Sequence, residues 1–245
     1  LVYFYHLDAK GRAPEHCPAC THPFVRREWK RAADVPVEVV LDGENGKQAS
    51  QPVTEEDLRH IADAASDPRQ KFVPSLSIDQ SREMYGRSGL GKSGMTETKM
   101  FFSSRNAIAL LELWNNINAV KEQSVRKKLQ FAFTAILPRA SKRYQWSPKR
   151  PLNAQNQTYY IAPVYYEWNV FELFMRKVEA SIRAADILYP EGLFRTDDSR
   201  QLSYELASAN RLAHLESASI DYVFTDPPFG SNIFYSDMNL FQEAW

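Results

Sequence analysis

The sequence predicts an α/β fold with helical inserts, and three observations carry that reading. Residues 220–225 form a short, almost continuously apolar run that stops at a carboxylate, the pattern of a central strand buried on both faces of a sheet. Three longer segments, residues 106–120, 125–136 and 169–188, repeat apolar side chains with the period of a helix. The composition is that of a globular chain, 245 residues with 44% hydrophobic and 24% charged, long enough to bury a sizeable core.

No stretch approaches the roughly 18 uninterrupted apolar residues of a membrane span, and the N-terminus lacks a basic-then-apolar signal pattern. The expectation is therefore no membrane partner and a cytoplasmic location. Leu1 stands where a start methionine would, and Leu240-Phe241-Gln242-Glu243-Ala244-Trp245 reads as the inside of an apolar helix. Both features predict a fragment of a longer protein.

Taken in order, residues 1–34 hold a strand-like run, Val2-Tyr3-Phe4-Tyr5, a turn at Lys10-Gly11-Arg12, and then His16-Cys17-Pro18-Ala19-Cys20-Thr21-His22. Cys17 and Cys20 have metal or redox spacing rather than that of a disulfide framework. Two thiolates so spaced fill adjacent corners of a tetrahedron, and structural zinc needs four ligands. Either His16 or His22 completes the site, or a second pair lies upstream; the upstream pair is the expectation, and two unliganded thiols in a turn is the alternative. Residues 35–75 are acidic and broken by Gly43, Gly46, Pro52 and Pro68, which predicts a linker or surface insert. One helix is expected there, residues 55–65, capped by Thr54 with Asp57 near the capping-box position.

Residues 76–200 read as a helical insert. Near its start lies Gly86-Arg87-Ser88-Gly89-Leu90-Gly91-Lys92-Ser93, which satisfies the phosphate-binding P-loop pattern letter for letter. A P-loop needs a buried strand before its glycines and a helix starting at the Lys-Ser. Residues 77–84 are polar and Gly94-Met95-Thr96 is a poor helix start, so the context argues against a nucleotide site. The helix at 106–120 is expected to bury Ile108, Leu111, Trp114, Ile117 and Val120, with Ser103 or Ser104 as its cap. The helix at 125–136 should end before Pro138, and that at 169–188 should bury Val170, Leu173, Phe174, Val178 and Ile182. Residues 201–245 supply the sheet core, with 202–207 a candidate neighbouring strand.

Net charge is zero, 30 Lys+Arg against 30 Asp+Glu, but the charges are segregated. Residues 38–67 carry eight acids and two bases, whereas residues 121–150 carry nine bases and the single acid Glu122. That basic block, interleaved with Tyr144 and Trp146, has the make-up of a surface that tracks a phosphate backbone and stacks on an unpaired base. Arg143, Tyr144, Trp146 and Lys149 are its candidate DNA contacts, and a solvated helix face with a loop is the alternative.

Asp226-Pro227-Pro228-Phe229 follows the apolar run. Methylating an exocyclic amine of a nucleobase is awkward because the nitrogen lone pair is delocalised into the ring. Acceptors set against both N–H bonds stabilise the positive charge that develops as the lone pair localises. The Asp226 carboxylate supplies one acceptor and the Pro227 carbonyl a second; successive prolines hold φ near about −65° and cannot continue a helix. Phe229 would stack on the base once it has left the duplex. A strand-terminating turn is the alternative reading of the tetrapeptide.

With its flanks, residues 220–237, the stretch resembles the long motif of the large adenine-specific DNA methylases, S-adenosylmethionine-dependent amino-methyltransferases of bacteria and archaea. Their catalytic loop is followed by an Asn and a Tyr-Ser-acid group, here Asn232 and Tyr235-Ser236-Asp237. Three other stretches are similar to that family: Cys17-Pro18-Ala19-Cys20 with Pro23-Phe24 to its zinc-knuckle insert, Phe101-Phe102-Ser103-Ser104-Arg105-Asn106 to its Phe-Thr-Pro-Arg-Gln segment, and Tyr165-Tyr166-Glu167-Trp168-Asn169-Val170-Phe171-Glu172 to its Asn-Val-Trp-Glu segment. In the second, Ser104 replaces the proline and Asn106 the glutamine.

The resemblance implies a Rossmann-like methyltransferase domain with helical inserts and a small zinc-ribbon-like element. It also implies S-adenosylmethionine as cofactor, structural zinc at Cys17 and Cys20, and DNA as substrate, with partner proteins of a restriction-modification or defence system. Asp226, Pro227, Pro228 and Phe229 are the implied catalytic residues, Phe102, Ser103 and Arg105 the implied cofactor contacts, and Asn232 and Tyr235 further DNA contacts. The family's main cofactor loop, Asp-Pro-Phe-x-Gly-x-Gly, is absent between Leu1 and Trp245, so the chain by itself is expected to be inactive. The competing expectations are an RNA or protein amine methyltransferase, a P-loop ATPase dependent on Lys92, and a non-catalytic DNA- or zinc-binding module.

Overall fold

The computed structural model describes residues 15–17, 20–23, 33–43, 47–88, 94–146, 152–153, 161–162, 164–188, 212, 215–226 and 235–245. Helices and short antiparallel strands are mixed in it, and the chain divides into two compact units, Leu1–Ala180 with Phe234–Trp245, and Ser181–Ile233. Among the described residues no helix is long and apolar enough to cross a membrane.

The first unit contains a hairpin in the segment expected to be a linker or surface insert. Strand β1 (Glu38–Asp42) pairs antiparallel with β2 (Gln48–Pro52), from Glu38 opposite Pro52 to Asp42 opposite Gln48. Gly43 closes the turn by donating its N–H to the Lys47 carbonyl at 2.8 Å. A Cβ there would lie 2.7 Å from that carbonyl oxygen, so only glycine fits without movement. The hairpin was hidden because nearly all its side chains are exposed, and no apolar alternation marks it.

Helix α1 (Glu55–Ser66) starts at the expected cap: Thr54 Oγ1 accepts from Asp57 N–H at 3.2 Å while Asp57 Oδ2 accepts from Thr54 N–H at 2.9 Å. Asp67 then caps the single-turn 3₁₀ helix Pro68–Phe72 and pairs with Arg69, which also reaches Glu112. The Arg69 hydrogen bonds hold the Asp67 carboxyl down at about 2. Because the folded pKa is depressed, this contribution is complete above the unfolded value and disappears as pH falls through about 2. In melts from pH 6 to pH 2, the advantage of the parent protein over Asp67→Ala should therefore shrink towards the acid end.

The core is built by α3 (Ser104–Asn118), α4 (Gln123–Ala140), the start of α5 (Val170–Leu188) and Leu240 of the C-terminal turn α7 (Leu240–Glu243), which follows the turn α6 (Tyr235–Met238). Ser103 caps α3 by accepting from Asn106 N–H, as expected. The buried face is broader than the expected stripe: Leu110 is fully enclosed, Ile108 and Trp114 only partly, and Val120 lies past the helix end. The reason is that α3 packs against α1 and the 3₁₀ turn as well as against α4. A helix with neighbours on two sides buries a wider arc than one stripe.

Helix α4 was expected to stop before Pro138, yet it runs through it to Ala140. A proline within a helix forfeits one backbone hydrogen bond and crowds the carbonyl four residues back. Here Leu137 and Ala140 are buried in the core, the Ser141 hydroxyl donates to the Pro138 carbonyl at 2.7 Å, and the Asn106 amide donates to the Ala140 carbonyl at 2.9 Å. Tertiary contacts thus satisfy the helix end that propensity alone would have fixed earlier.

Helix α5 is capped by Asn169, whose Oδ1 accepts from Phe171 and Glu172 N–H. Val170, Leu173 and Phe174 are buried and Val178 partly so, but Ile182, expected in the same face, is 57% exposed. It lies beyond Ala180, where the first unit ends and the packing surface with it.

Within residues 86–93, Gly86, Arg87 and Ser88 lie in a short helix, α2 (Glu83–Ser88), and 89–93 lie outside the described residues, Lys92 with them. Before α2 comes a turn, in which Asp79 accepts from Ser81 and Arg82 N–H, rather than a buried strand.

The second unit corrects the strand expected at residues 220–225. These residues adopt no strand, and Ile220, Tyr222, Val223 and Phe224 are 50%, 80%, 69% and 81% exposed. A strand exists only where a neighbour satisfies its N–H and C=O groups, and among the described residues none lies beside this run. An apolar run specifies a strand no further than its partners allow. Residues 2–5 and 202–207, the other expected strands, lie outside the described residues.

Candidate functional site

Asp226 ends the exposed run and is itself exposed, with no hydrogen bond or ion pair to any described residue. Pro227, Pro228, Phe229 and Asn232 lie outside the described residues, and Tyr235 is the first residue of α6. Asp237, two residues on, is buried and receives the Arg82 Nη1 at 2.7 Å. Leu240 is enclosed in the core, and the Trp245 ring packs edge-on against Phe133 and Phe102.

Three stretches singled out in the sequence come together in the first unit: residues 101–106, the basic segment after α4, and residues 165–172 with Ala162 and Val164 just before them. Backbone bonds run from Lys142 N–H to Phe101 O at 2.8 Å, from Ala162 N–H to Lys142 O at 3.0 Å, from Tyr166 N–H to Tyr144 O at 3.0 Å and from Trp146 N–H to Val164 O at 3.0 Å. Side chains complete the joint. Arg105 Nε donates to Glu167 Oε1 at 2.8 Å, and the Asn106 amide, besides Ala140, donates to the Trp168 carbonyl at 3.1 Å. Tyr144 packs edge-on to Trp168 and Tyr166, with centroids 5.6 and 6.2 Å apart.

Asn106 is the hub of this joint and is buried, so Asn106→Ala should remove two hydrogen bonds, one from the carbonyl of buried Ala140 and one from that of partly buried Trp168. A loss of about 2 kcal/mol in urea denaturation is expected, since a stranded buried acceptor costs on the order of 1–3 kcal/mol. A change under about 0.5 kcal/mol, the usual range of surface substitutions, would deny the hub role.

The candidate cofactor residues differ in what they offer. Phe102 is 4% exposed beneath Trp245 and Ser103 accepts the cap bond. Arg105 gives its Nε to Glu167 and leaves both Nη groups without a partner among the described residues. Burial works against its charge, but the Glu167 hydrogen bond and carboxylate outweigh it and raise its pKa. Of the three, Arg105 alone fits a carboxylate or phosphate ligand. Burial, with the Glu38 charge adding to it, pushes the Tyr166 phenol up and keeps that ring neutral.

Among the candidate DNA contacts, Arg143 and Tyr144 are 7% and 6% exposed and Trp146 is half-buried. Strand β3 (Tyr144–Gln145) pairs with β4 (Leu152–Asn153), and Lys149 lies outside the described residues. Sequence spacing gives no sign that Arg143 would turn inward. Arg139 was counted only as charge, yet its guanidinium lies over the Tyr144 and Trp168 rings.

At the candidate zinc knuckle, Cys17 N–H donates to His22 O at 2.9 Å and Thr21 N–H to Cys17 O at 2.8 Å, with Thr21 left-handed at φ 57. Cys17 is half-buried and Cys20 exposed. No group of three or more His, Cys, Asp or Glu side chains suited to a metal occurs among the described residues, so these two thiols do not by themselves fit a four-ligand zinc site.

In comparisons with known proteins, no family model, no curated protein and no solved structure matches the chain.

Proposed function

We propose that this chain belongs to an S-adenosylmethionine-dependent DNA methyltransferase that methylates the exocyclic N6 amine of a flipped adenine. The observation that carries the reading is Asp226-Pro227-Pro228-Phe229 together with its flank through Asn232 and Tyr235-Ser236-Asp237. In this reading residues 201–245 are the C-terminal part of a Rossmann-like methyltransferase core, 76–200 a helical insert facing DNA, 35–75 an insert and 1–34 a zinc-knuckle-like element. The location is cytoplasmic, and the partners are DNA and proteins of a modification or defence system.

The chain's own residues divide the work. The Asp226 carboxylate and the Pro227 carbonyl accept from the two amine N–H bonds, so that the lone pair localises on nitrogen with its developing charge already solvated. Phe229 holds the base by stacking. Exposure of Asp226 supports this role, since its carboxylate is open to a ligand. The adjacency of residues 101–106 and 165–172, two patches that each resemble the same family, supports it too. S-adenosylmethionine supplies an electrophilic methyl group, and Arg105 is the residue of this chain suited to hold its carboxylate.

The test is transfer of labelled methyl from S-adenosylmethionine to unmethylated duplex DNA by the intact gene product, followed by digestion to nucleosides. Label in N6-methyl-2′-deoxyadenosine is expected, and its loss in Asp226→Ala. Label in cytosine, RNA or protein instead would overturn the reading.

A further inference from the structure

Helix α4 buries one face through Ala132, Phe133, Ile136, Leu137 and Ala140 and turns the other to solvent. Between Gln123 and Ala140 it carries Arg126, Lys127, Lys128 and Arg139 and neither Asp nor Glu. With the helical period, Lys128, Phe131, Ala135 and Arg139 fall on one stripe, and all four are exposed, Phe131 at 72%. A single exposed aromatic is ordinary; one flanked on its own stripe by cations, with no carboxylate on the helix, is a different surface.

Arg139 adds geometry to charge. Its guanidinium lies 5.3 Å from the Tyr144 ring centroid and 5.8 Å from that of Trp168. It has no hydrogen bond or ion pair to any described residue. Glu167, the carboxylate next to Trp168 in the chain, is engaged by Arg105. Two rings therefore restrain the guanidinium while its donors stay open, which lowers the ordering cost of binding an anion that matches it.

We propose that the exposed stripe of α4 is a nucleic-acid contact, in which Arg139 takes a backbone phosphate bidentately, Lys128 takes a second, and Phe131 stacks on an unpaired base. The stripe spans about 16 Å from Lys128 to Arg139, long enough to reach more than one phosphate of a strand. The inference rests on the reading of the chain as acting on DNA and moves the contact from the loop to the helix. Arg143 and Tyr144 belong to the buried support, and Tyr144 is the platform under Arg139. A basic amphipathic helix can instead lie on an anionic membrane, but such a helix inserts its apolar face. The apolar face of α4 is already buried in the protein core.

The test is fluorescence anisotropy of the full chain with labelled duplex DNA, intact or carrying one unpaired adenine, across a salt titration. Arg139→Ala should weaken binding about tenfold at low salt and reduce the slope of log K against log salt by about one. Arg139→Lys should keep the slope but lose part of the affinity, and Phe131→Ala should remove the preference for the unpaired base. Lys71→Ala, an equal loss of charge from an exposed site outside α4, should change affinity less than about twofold. The proposal falls if the parent shows no salt-dependent DNA binding, if the slope ignores Arg139, if Lys71→Ala weakens binding equally, or if vesicles with anionic lipid bind tighter than DNA. Arg139-dependent binding by an intact gene product that transfers no methyl group would keep this surface and remove the methyltransferase reading. Methyl transfer with a salt slope indifferent to Arg139 would do the reverse.

Discussion

If the chain belongs to an adenine methyltransferase as proposed, Asp226→Ala in the intact gene product should lower methyl transfer to adenine by about 10³-fold while cofactor affinity stays within about twofold. One preorganised group aimed at developing charge is worth on the order of 10²–10³ in rate. In the proposed mechanism Asp226 adds a full negative charge where nitrogen becomes positive, which places the expectation at the upper end. Asp226→Asn keeps the size and one acceptor oxygen but loses the charge, so it should fall between the two. Truncation should not disturb folding, because the side chain is exposed and bonds to no described residue. A thermal midpoint matching that of the parent would exclude unfolding as the cause of lost turnover. Near-normal turnover in Asp226→Ala would take this carboxylate out of the mechanism.

The sequence made the helices legible and left the strands obscure, for identifiable reasons. The α1 cap was readable because Thr54 and Asp57 need only each other. The start of α5 was readable because its cap, Asn169, adjoins a periodic apolar run. Features that depend on distant residues were not readable. The passage of α4 through Pro138 depends on Asn106 reaching Ala140, and the breadth of the α3 core face depends on α1 packing beside it. The run at 220–225 has strand composition, but pairing is a property of two segments and its sequence contains one. The β1–β2 hairpin fails in the opposite sense, pairing without apolar alternation because both its faces meet water.

The candidate site divides along the same line. Asp226 was named from local chemistry, the spacing of a carboxylate, two prolines and a ring. The joint between residues 101–106 and 165–172 was named only as two separate patches, since Arg105 and Glu167 lie far apart in the chain. Arg143, a candidate surface contact in the sequence, is 7% exposed, and the place of Arg139 on the exposed stripe follows only once α4 is known to continue past Pro138. Charge counts say that a segment is basic. Which cations face outward is decided by the buried side of the helix.

Two substitutions two residues apart on α4 should separate those sides. Phe133 is fully enclosed, with its ring centroid 4.9 Å from that of Trp114 and 5.2 Å from that of Trp245. Phe133→Ala should cost about 3–5 kcal/mol, the transfer term of the ring plus the cavity left between two indoles that cannot both collapse into it. Against a typical domain stability of roughly 5–15 kcal/mol that is a large fraction, and it should lower the melting midpoint by about 6–20 °C. Phe131→Ala removes the same side chain from a site 72% exposed and should stay within about 0.5 kcal/mol. Urea unfolding followed by tryptophan fluorescence reads both, since Trp114 and Trp245 border the site. Equal losses would mean that α4 is rotated about its axis, with Lys128 and Arg139 no longer sharing an outward stripe. The stability contrast is therefore also the first check on the nucleic-acid surface, because the packing that encloses Phe133 is what turns Arg139 to solvent.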